Sequence, residues 1–403
     1  MTSRQRVIET LNHREPDKLA IDFGGMRSTG ISALAYNKLK SYLGMTGGIT
    51  KVYDVFQQLA EPETEIIERM GGDVLQLNRY APSFGIPNDR WKDGKLQDGS
   101  TCLYPEQFSP VENEKGELEI RDGELVLAKM PKGGLYYDSM HFLYENAESR
   151  SDIDKIEISG ITGFELEYLA AEARRLYETT EKAILGAFGG NIFEAGLASW
   201  GYEKFLFTLA YDPDLVHYWL EKLTEQYMED LKKYLSAVGS YINVIQFGDD
   251  LGTQQAPMIS RRMYEEMIKP YHKRQYRYVR DNYPDVKVFI HCCGAISDLI
   301  PGLIDAGVEV LNPVQISAQG MDPRTLKREF GKDITFWGGG ADMQGTVRTS
   351  DVGQIKADVR ELIEIFSPGG GFVFSQVHNI LADVPPEKIM AIYDTALKFR
   401  KEQ

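Results

Sequence analysis

Short apolar runs rich in β-branched residues alternate along this chain with longer segments of helical spacing. Turn residues bound eight such runs, and we predict a β-strand in each: residues 19–24, 73–78, 183–188, 242–248, 286–291, 308–313, 334–338 and 372–377. Apolar positions recur at helical spacing between most of them, as in residues 215–234, 260–283 and 355–366. Because helical crossovers join parallel strands, this alternation predicts an α/β fold, a single (β/α)₈ TIM barrel over residues 1–403.

One segment interrupts the alternation directly after the second strand. Residues 80–146 are rich in Gly, Pro and acidic residues and contain short strand-like pieces at 118–120 and 125–127. Asp122-Gly123 between these pieces is a strong hairpin signal. We therefore predict a hairpin-rich insertion within the barrel and not a second domain. A doubly wound open sheet is the alternative, but no Gly-rich dinucleotide fingerprint follows an early strand.

The charge and the cysteine content exclude several classes of protein. The chain of 403 residues carries a formal net charge of −15, which argues against binding nucleic acid or an anionic membrane surface. Three cysteines are few and odd in number, so we expect no disulfide framework and a cytoplasmic location. The N-terminus lacks a long apolar run, and we expect neither a signal peptide nor a membrane span.

Polar side chains follow the predicted strands at the end where a barrel of this kind carries its chemistry. The candidate site residues that this rule selects are Arg27, Glu194, Asp249, Asp250, Gln254, His291, Cys293, Asn312, Gln315, His378 and Asn379. Their polar character predicts a site for a small-molecule substrate.

Two of these residues form half of a metal site. Alternation along the fifth strand places His291 and Cys293 on one face and Cys292 on the other. An imidazole and a thiolate are good ligands for zinc, although a buried cysteine beside a hydrogen-bonded histidine is the alternative. His378 follows the last strand, so three ligands can converge at the mouth and leave the open fourth position of a catalytic zinc site.

The acidic residues are candidates for proton transfer. Asp249 and Asp250 are adjacent and face opposite ways, so at most one points into the mouth. These carboxylates could bind metal or act as acid or base, and capping the next loop is the alternative role. Glu194 is a candidate general base or fourth metal ligand. The planar fork of Arg27 suits a substrate carboxylate or phosphate, unless it forms an ordinary ion pair. The remaining candidates for substrate binding are Gln254, Asn312, Gln315 and Asn379.

Four motifs in this chain resemble the uroporphyrinogen decarboxylase superfamily. They are Phe-Gly-Asp-Asp-Leu-Gly-Thr-Gln at 247–254, His-Cys-Cys-Gly at 291–294, Leu-Asn-Pro-Val-Gln at 311–315 and Val-His-Asn-Ile at 377–380. The resemblance covers nearly the whole chain and implies a (β/α)₈ barrel, in agreement with the strand count. It also implies one of two chemistries.

One branch of the superfamily is a metal-free decarboxylase that binds substrate carboxylates through two arginines in a Met-Arg-Gln-Ala-Gly-Arg segment. The corresponding residues 26–31 keep the first arginine, Arg27, and place Ile31 at the second. The aspartate that the branch carries after its next strand has no clear counterpart in residues 78–80. A substrate with many carboxylates would meet one arginine, so we do not expect porphyrinogen decarboxylation. A metal-free decarboxylase acting on a smaller carboxylated substrate is the alternative function.

The other branch contains zinc-dependent methyltransferases that move a methyl group between a corrinoid protein and a thiol. Their ligands are a His-x-Cys pair, matched by His291 and Cys293, and a cysteine after the last strand, where this chain has His378. The resemblance implies that these three residues hold zinc. No Asp-x-His-x-x-Gly corrinoid signature occurs, so a corrinoid would arrive on a partner protein. We expect a methyltransferase of this kind. A non-catalytic corrinoid- or tetrapyrrole-binding protein is a further alternative.

Overall fold

A computed structural model describes residues 1–45 and 47–402 of the chain. The strands in these ranges are β1 (Ala20–Ile21), β2 (Ile31–Ser32), β3 (Val52–Asp54), β4 (Leu59–Ala60), β5 (Val74–Leu77), β6 (Trp91–Lys95), β7 (Thr101–Pro105), β8 (Val111–Glu112), β9 (Leu118–Asp122), β10 (Leu125–Met130), β11 (Asp138–Ser139), β12 (Ala183–Gly189), β13 (Val244–Gly248), β14 (Lys287–His291), β15 (Val310–Asn312), β16 (Thr335–Trp337) and β17 (Phe372–Phe374).

The helices in the same ranges are α1 (Ser3–Leu11), α2 (Ala33–Tyr42), α3 (Thr64–Met70), α4 (Arg150–Asp154), α5 (Gly163–Thr179), α6 (Phe193–Trp200), α7 (Tyr202–Tyr211), α8 (Pro213–Val238), α9 (Arg261–Met263), α10 (Lys269–Asn282), α11 (Ile300–Ala306), α12 (Pro323–Phe330), α13 (Thr346–Thr349), α14 (Val352–Phe366) and α15 (Pro386–Glu402). A π-helical turn, Tyr264–Ile268, joins α9 to α10. The predicted helical segments 215–234 and 355–366 lie within α8 and α14, and the segment 260–283 matches α9, the π-helical turn and α10 to within one residue at each end. Within the described ranges, the structure contains no helix with the length and hydrophobicity of a membrane-spanning segment.

Eight parallel strands form the central sheet. Their order is β1-β17-β16-β15-β14-β13-β12-β5, and every hydrogen-bonded pair of neighbours is parallel. Each of the eight predicted runs coincides with one of these strands, of which only β12 extends one residue beyond its run, and helices surround the sheet. The prediction of an α/β (β/α)₈ barrel is therefore confirmed. The extent of a single domain over residues 1–403 stays a prediction, since Thr46 and Gln403 lie outside the described residues.

The barrel closes between β1 and β5 through contacts of Asp73, the residue directly before β5. The backbone N–H of Asp73 donates to the carbonyl of Ile21 (2.7 Å), and the Asp73 carboxylate accepts from the N–H of Ile21 (3.0 Å). The same buried carboxylate accepts from Arg6 of α1 (2.7 Å) and from Arg400 of α15 (2.9 Å). One side chain thus ties both terminal helices to the closing edge of the barrel.

The inside of the barrel is filled at one end. Val7 and Leu11 of α1 join a buried cluster with Leu185, Phe289 and Trp337, which face inward from their strands. The backbone of α1 bonds to residues that precede β12 and β17, so this helix covers the N-terminal end of the strands. The C-terminal end is left for a site, as in other barrels of this class.

The segment after β5 folds into small antiparallel sheets, as predicted. One hairpin pairs β6 with β7, and a four-stranded sheet has the order β11-β10-β9-β8. Asp122 ends β9 and pairs with Leu125, so the β9–β10 turn consists of Gly123 and Glu124. A third small sheet, β2-β4-β3, is formed by residues that come between β1 and β5 in the sequence, and it was not predicted. Its strands have two or three residues, which is too short for a period of two to be recognised.

Candidate functional site

A cavity of about 530 Å³ opens at the C-terminal ends of the barrel strands. Seven of the eleven predicted site residues line it: Arg27, Glu194, Asp250, His291, Cys293, His378 and Asn379. The other four, which are Asp249, Gln254, Asn312 and Gln315, are absent from its lining.

Three different donor groups converge on one point of the cavity wall. Ligand atoms of Asp250, His291 and Cys293 all lie within 4.8 Å of one another. His291 Nε2 is 3.3 Å from Cys293 Sγ and 3.6 Å from Asp250 Oδ1. The Cys293 N–H donates to Asp250 Oδ1 (2.7 Å), which joins the segments that follow β13 and β14. A carboxylate, an imidazole and a thiol at these separations form a donor set that suits zinc.

The neighbour of Asp250 points away from the cavity. Asp249 is fully buried, and its carboxylate accepts from three consecutive backbone N–H groups at the start of α6, at 2.6, 2.8 and 3.2 Å. It also contacts His272 Nε2 at 2.7 Å. The proposed catalytic role of Asp249 therefore does not fit its position, because the carboxylate anchors a helix N-terminus. Of the two aspartates, Asp250 is the one that faces the mouth.

Asn312 was predicted to bind substrate, but it orients His291 instead. The Asn312 side chain is fully buried, and its Nδ2 donates to the carbonyl of Trp337 (2.8 Å), so its Oδ1 faces the imidazole. That oxygen lies 2.7 Å from His291 Nδ1. Because a carbonyl oxygen only accepts, Nδ1 carries the proton of the neutral ring. The lone pair of His291 is left on Nε2, the nitrogen that faces Cys293 and Asp250.

His378 lines the cavity outside the three-donor cluster. Its Nδ1 lies 3.1 Å from the carbonyl of Asn379 and donates to it, and burial lowers the pKa of the imidazole. Among the described residues, the group of potential metal-binding atoms within 4.8 Å of one another contains Asp250 and not His378. The structure therefore adds Asp250 to the candidate ligand set beside His291 and Cys293. Zinc binding by His378, like metal binding itself, stays a prediction.

Negative charge and burial act together on the acidic groups of the cluster. Glu194, in the first turn of α6, accepts from Asn191 Nδ2 (2.7 Å). Burial, followed by the nearby Asp250 carboxylate, raises the pKa of Glu194 to about 8. Burial, followed by Asp250 and Glu194, also raises the pKa of the Cys293 thiol well above its ordinary value. A divalent cation at this point would relieve the repulsion, so the residues present fit a bound metal.

Both arginines of the cavity wall are already paired. The guanidinium of Arg27 forms an ion pair with the fully buried carboxylate of Asp54, and it donates to the carbonyl of Pro82 (3.3 Å). Arg79, which was not predicted, binds Glu165 through two hydrogen bonds of 2.5 and 2.9 Å. Within residues 1–45 and 47–402, no other Lys or Arg lines the cavity. The cavity therefore offers little free positive charge to an anionic substrate.

Gln254 and Gln315 support the loop behind the cluster. Gln315 Oε1 accepts from the N–H of Gly294 (2.9 Å), and its Nε2 donates to Gln254 Oε1 (2.6 Å). Gly294 has φ = +95°, and a Cβ atom there would lie 2.3 Å from the backbone of Gly252. The glycine and the two amides hold the chain in its turn directly after Cys293.

Several uncharged amides that line the cavity were missed from the sequence. Gln76 and Asn78 project from the end of β5, Gln246 projects from β13, and Gln57 lies in the unpredicted β3–β4 connection. The first three stand within apolar runs that were read as strands. A polar residue inside such a run was the available signal for a side chain that faces a cavity.

Comparison with known proteins identifies the family. Residues 142–399, more than half of the chain, match the family model described as Uroporphyrinogen decarboxylase (URO-D). The chain belongs to the URO-D family. A uroporphyrinogen decarboxylase from Chloroherpeton thalassium is 25% identical over 262 residues, which cover 62% of this chain and 70% of that protein. One from Chlorobium limicola is 22% identical over 267 residues, which cover 63% and 70%.

Among solved structures, a methyltransferase from Methanosarcina mazei has the same fold as this URO-D family member. The two chains superpose with a TM-score of 0.61 over 99% of each, at 15% sequence identity. Membership of the family places this chain among enzymes. At the position of the second arginine of the decarboxylase motif, it has Ile31, which is fully buried in β2.

Proposed function

We propose that this URO-D family protein is a zinc-dependent methyltransferase-like enzyme that moves a methyl group between a corrinoid protein and a thiol or a related acceptor. The observation that carries the proposal is the convergence of Asp250, His291 and Cys293 in the cavity wall. These three residues would hold the metal, and a partner protein would supply the corrinoid. When bound, zinc lowers the pKa of a thiol beside it and so supplies a thiolate at neutral pH.

The side chains around the cluster support this chemistry. Asn312 keeps the Nδ1 proton of His291 in place and directs the lone pair of Nε2 towards the cluster. Three protein donors leave a fourth position for a substrate, as in catalytic zinc sites. Without a metal, the Glu194 carboxyl, whose pKa is raised to about 8, is largely protonated at neutral pH. The positive charge of a bound metal would lower this pKa, so that the carboxylate could take up the proton that an acceptor thiol releases.

The arginine pairs argue against a polycarboxylated substrate. Asp54 and Glu165 already neutralise the two guanidinium groups of the cavity, Arg27 and Arg79. The names of the curated relatives point to the alternative, a metal-free decarboxylase acting on a carboxylated substrate. Such an enzyme would need to break an ion pair with a buried carboxylate to bind its substrate, which is costly.

Metal content of the full chain, purified without chelator, tests the proposal. We expect one equivalent of zinc in the wild type and its loss in Cys293→Ser and Asp250→Asn. Cys292→Ser is the matched control, because this buried neighbour lies outside the cavity lining and should leave the zinc content unchanged. His378→Gln separates the two candidate ligand sets, and we expect it to retain zinc. Loss of zinc in His378→Gln but not in Asp250→Asn would favour the ligand set predicted from sequence.

Activity distinguishes the three candidate functions. A methyltransferase should demethylate methylcobalamin, or a methylated corrinoid protein, in the presence of a thiol, and Cys293→Ser should abolish this reaction. Release of carbon dioxide from a carboxylated substrate that survives metal removal and Cys293→Ala would establish the decarboxylase. A change in cobalamin absorbance on mixing, without methyl transfer to any acceptor, would indicate a non-catalytic binding protein. Either of the last two results would contradict the proposal.

A further inference from the structure

Three amides on the inner wall of the cavity have no hydrogen-bond partner among the described residues. They are the side chains of Gln76, Asn78 and Gln246, and all three line the cavity and are half-buried. Each amide presents a carbonyl acceptor and two N–H donors to the cavity. These groups are therefore available to pair with a ligand bound there.

The barrel register places these amides around one space beneath the metal-binding cluster. Gly248 of β13 pairs with His291 of β14. Gln246 lies two residues before Gly248, so its side chain faces the barrel interior one layer below the imidazole. Gln76 and Asn78 are two residues apart at the end of β5 and also face the interior. Between the two sets lies β12, whose Ala187 pairs with Gln246 and lines the cavity. Its small side chain leaves room for a ligand between the amides.

The charges of the cavity restrict what this ligand can be. The two guanidinium groups of the wall are paired with Asp54 and Glu165, while Glu194 and Asp250 contribute acidic groups. An anion would meet these acids without a free cation to offset them. A cation would satisfy the carbonyl ends of the amides but leave their N–H groups unpaired, which a site of this kind penalises.

We propose that Gln76, Asn78 and Gln246 bind an uncharged, planar group of the substrate that carries a donor beside an acceptor, such as a carboxamide, lactam or urea. An amide side chain can pair with such a group through both of its ends. The terminal torsion of Gln and Asn is soft, so either end can turn towards the ligand. The inference rests on the proposed function only in treating this cavity as the substrate site.

Three planar fragments of nearly the same shape and different charge provide the probes. Benzamide, benzoate and benzamidinium are titrated into the full-length protein, with and without added zinc, and followed by calorimetry or ligand-observed NMR. We expect benzamide to bind about tenfold more tightly than either charged fragment, since a site built for neutral hydrogen bonds leaves groups unpaired with the wrong ligand. Equal or tighter binding of benzoate or benzamidinium to the zinc-free protein would overturn the inference.

Substitutions locate the binding to the three amides. Gln246→Leu and Gln76→Leu should each weaken benzamide binding roughly five- to tenfold, which corresponds to one or two hydrogen bonds. Gln354→Leu is the matched control, because this exposed glutamine of α14 is absent from the cavity lining, and it should leave benzamide binding unchanged. Gln246→Glu keeps the size of the side chain and should shift the preference to benzamidinium. Unchanged benzamide binding in both leucine variants, with the fold verified by circular dichroism, would refute the assignment.

The inference and the proposed function fail in different ways. If the protein holds no zinc but retains its preference for benzamide, the methyltransferase proposal fails alone. If zinc binding and methyl transfer are found without that preference, the assignment of the amides fails alone.

Discussion

Replacing Asn312 by leucine tests whether the structure prepares His291 for a metal. The Asn312 side chain accepts from His291 Nδ1 at 2.7 Å and from the Ser28 hydroxyl at 2.9 Å, and it donates to the carbonyl of Trp337 at 2.8 Å. Leucine is of similar size and can make none of these bonds. The imidazole would then be free to place its proton on Nε2, which would block the lone pair that faces Asp250 and Cys293.

The expected loss follows from the role of this single contact. Partners that bind the second nitrogen of a metal-binding histidine typically contribute about 10- to 100-fold to metal affinity. We therefore expect the zinc affinity of Asn312→Leu to fall by about 1.4 to 2.7 kcal/mol. The substitution also leaves the carbonyl of Trp337 without its partner, which costs about 1 to 3 kcal/mol of folding free energy.

Two measurements separate these effects. Competition with a chromophoric chelator gives the zinc affinity of the folded protein, and denaturant unfolding gives its stability. Ser28→Ala is the matched control, because it removes one bond to Asn312 but leaves the 2.7 Å contact with His291 in place. The control should change zinc affinity by less than about twofold, the effect of a fraction of one hydrogen bond.

Nitrogen-15 NMR of the imidazoles examines the same reasoning without any metal. The chain has six histidines, so the ring signals can be assigned individually. In the metal-free wild type we expect His291 to be protonated at Nδ1. Protonation at Nε2, or an Asn312→Leu variant that keeps wild-type zinc affinity and stability, would refute the argument.

Two further predictions concern the frame of the barrel. Asp73→Asn should lower the free energy of unfolding by about 3 kcal/mol, because it leaves the largely buried guanidinium of Arg400 without its counter-charge and leaves Arg6 paired with Asp17 alone. Asp394→Asn, in an ion pair whose side chains are 43% and 49% exposed, should cost less than about 1 kcal/mol. Equal shifts in denaturant midpoint would contradict this. Burial raises the pKa of Asp22 from 3.8 to about 6. The stability that its protonated form contributes, about 3 kcal/mol, is present in full below pH 3.8 and is lost as the pH rises through about 6. The stability advantage of the wild type over Asp22→Asn should therefore shrink by about 1.5 kcal/mol between about pH 5 and about pH 8, and an advantage that is constant or grows with pH would refute the assignment.

The barrel could be predicted because its strands are buried runs rich in β-branched residues, and the segments between them have apolar residues at helical spacing. The small β2-β4-β3 sheet was missed because strands of two or three residues show no period. Gln57, which lines the cavity from the β3–β4 connection, was missed for the same reason. In the site, alternation correctly placed His291 and Cys293 in one cavity and Cys292 outside it. These residues lie within or directly beside a regular strand, where the direction of each side chain follows from the backbone.

The different positions of His378 and Asp250 relative to the cluster have a local cause. The last strand was predicted to run to residue 377, but β17 ends at Phe374, and His378 lines the cavity from the loop that follows. His378 therefore lies four residues beyond the strand, in a loop whose side-chain directions no periodicity describes. Asp250 lies two residues beyond β13, and its place in the cluster is fixed by the N–H of Cys293. Contacts of this kind depend on tertiary structure and are not visible in the sequence.

The opposite directions of Asp249 and Asp250 couple two parts of the site. Asp249 holds the first N–H groups of α6, including that of Glu194, at 2.6 Å, while Asp250 joins the cluster of His291 and Cys293. Because the two aspartates are consecutive, a displacement of one moves the other. Glu194 and the candidate metal ligands are therefore both held by a single dipeptide after β13. Capping of the next loop was the alternative predicted for Asp249; the group that it caps is the start of α6, and this contact helps to place Glu194 near Asp250.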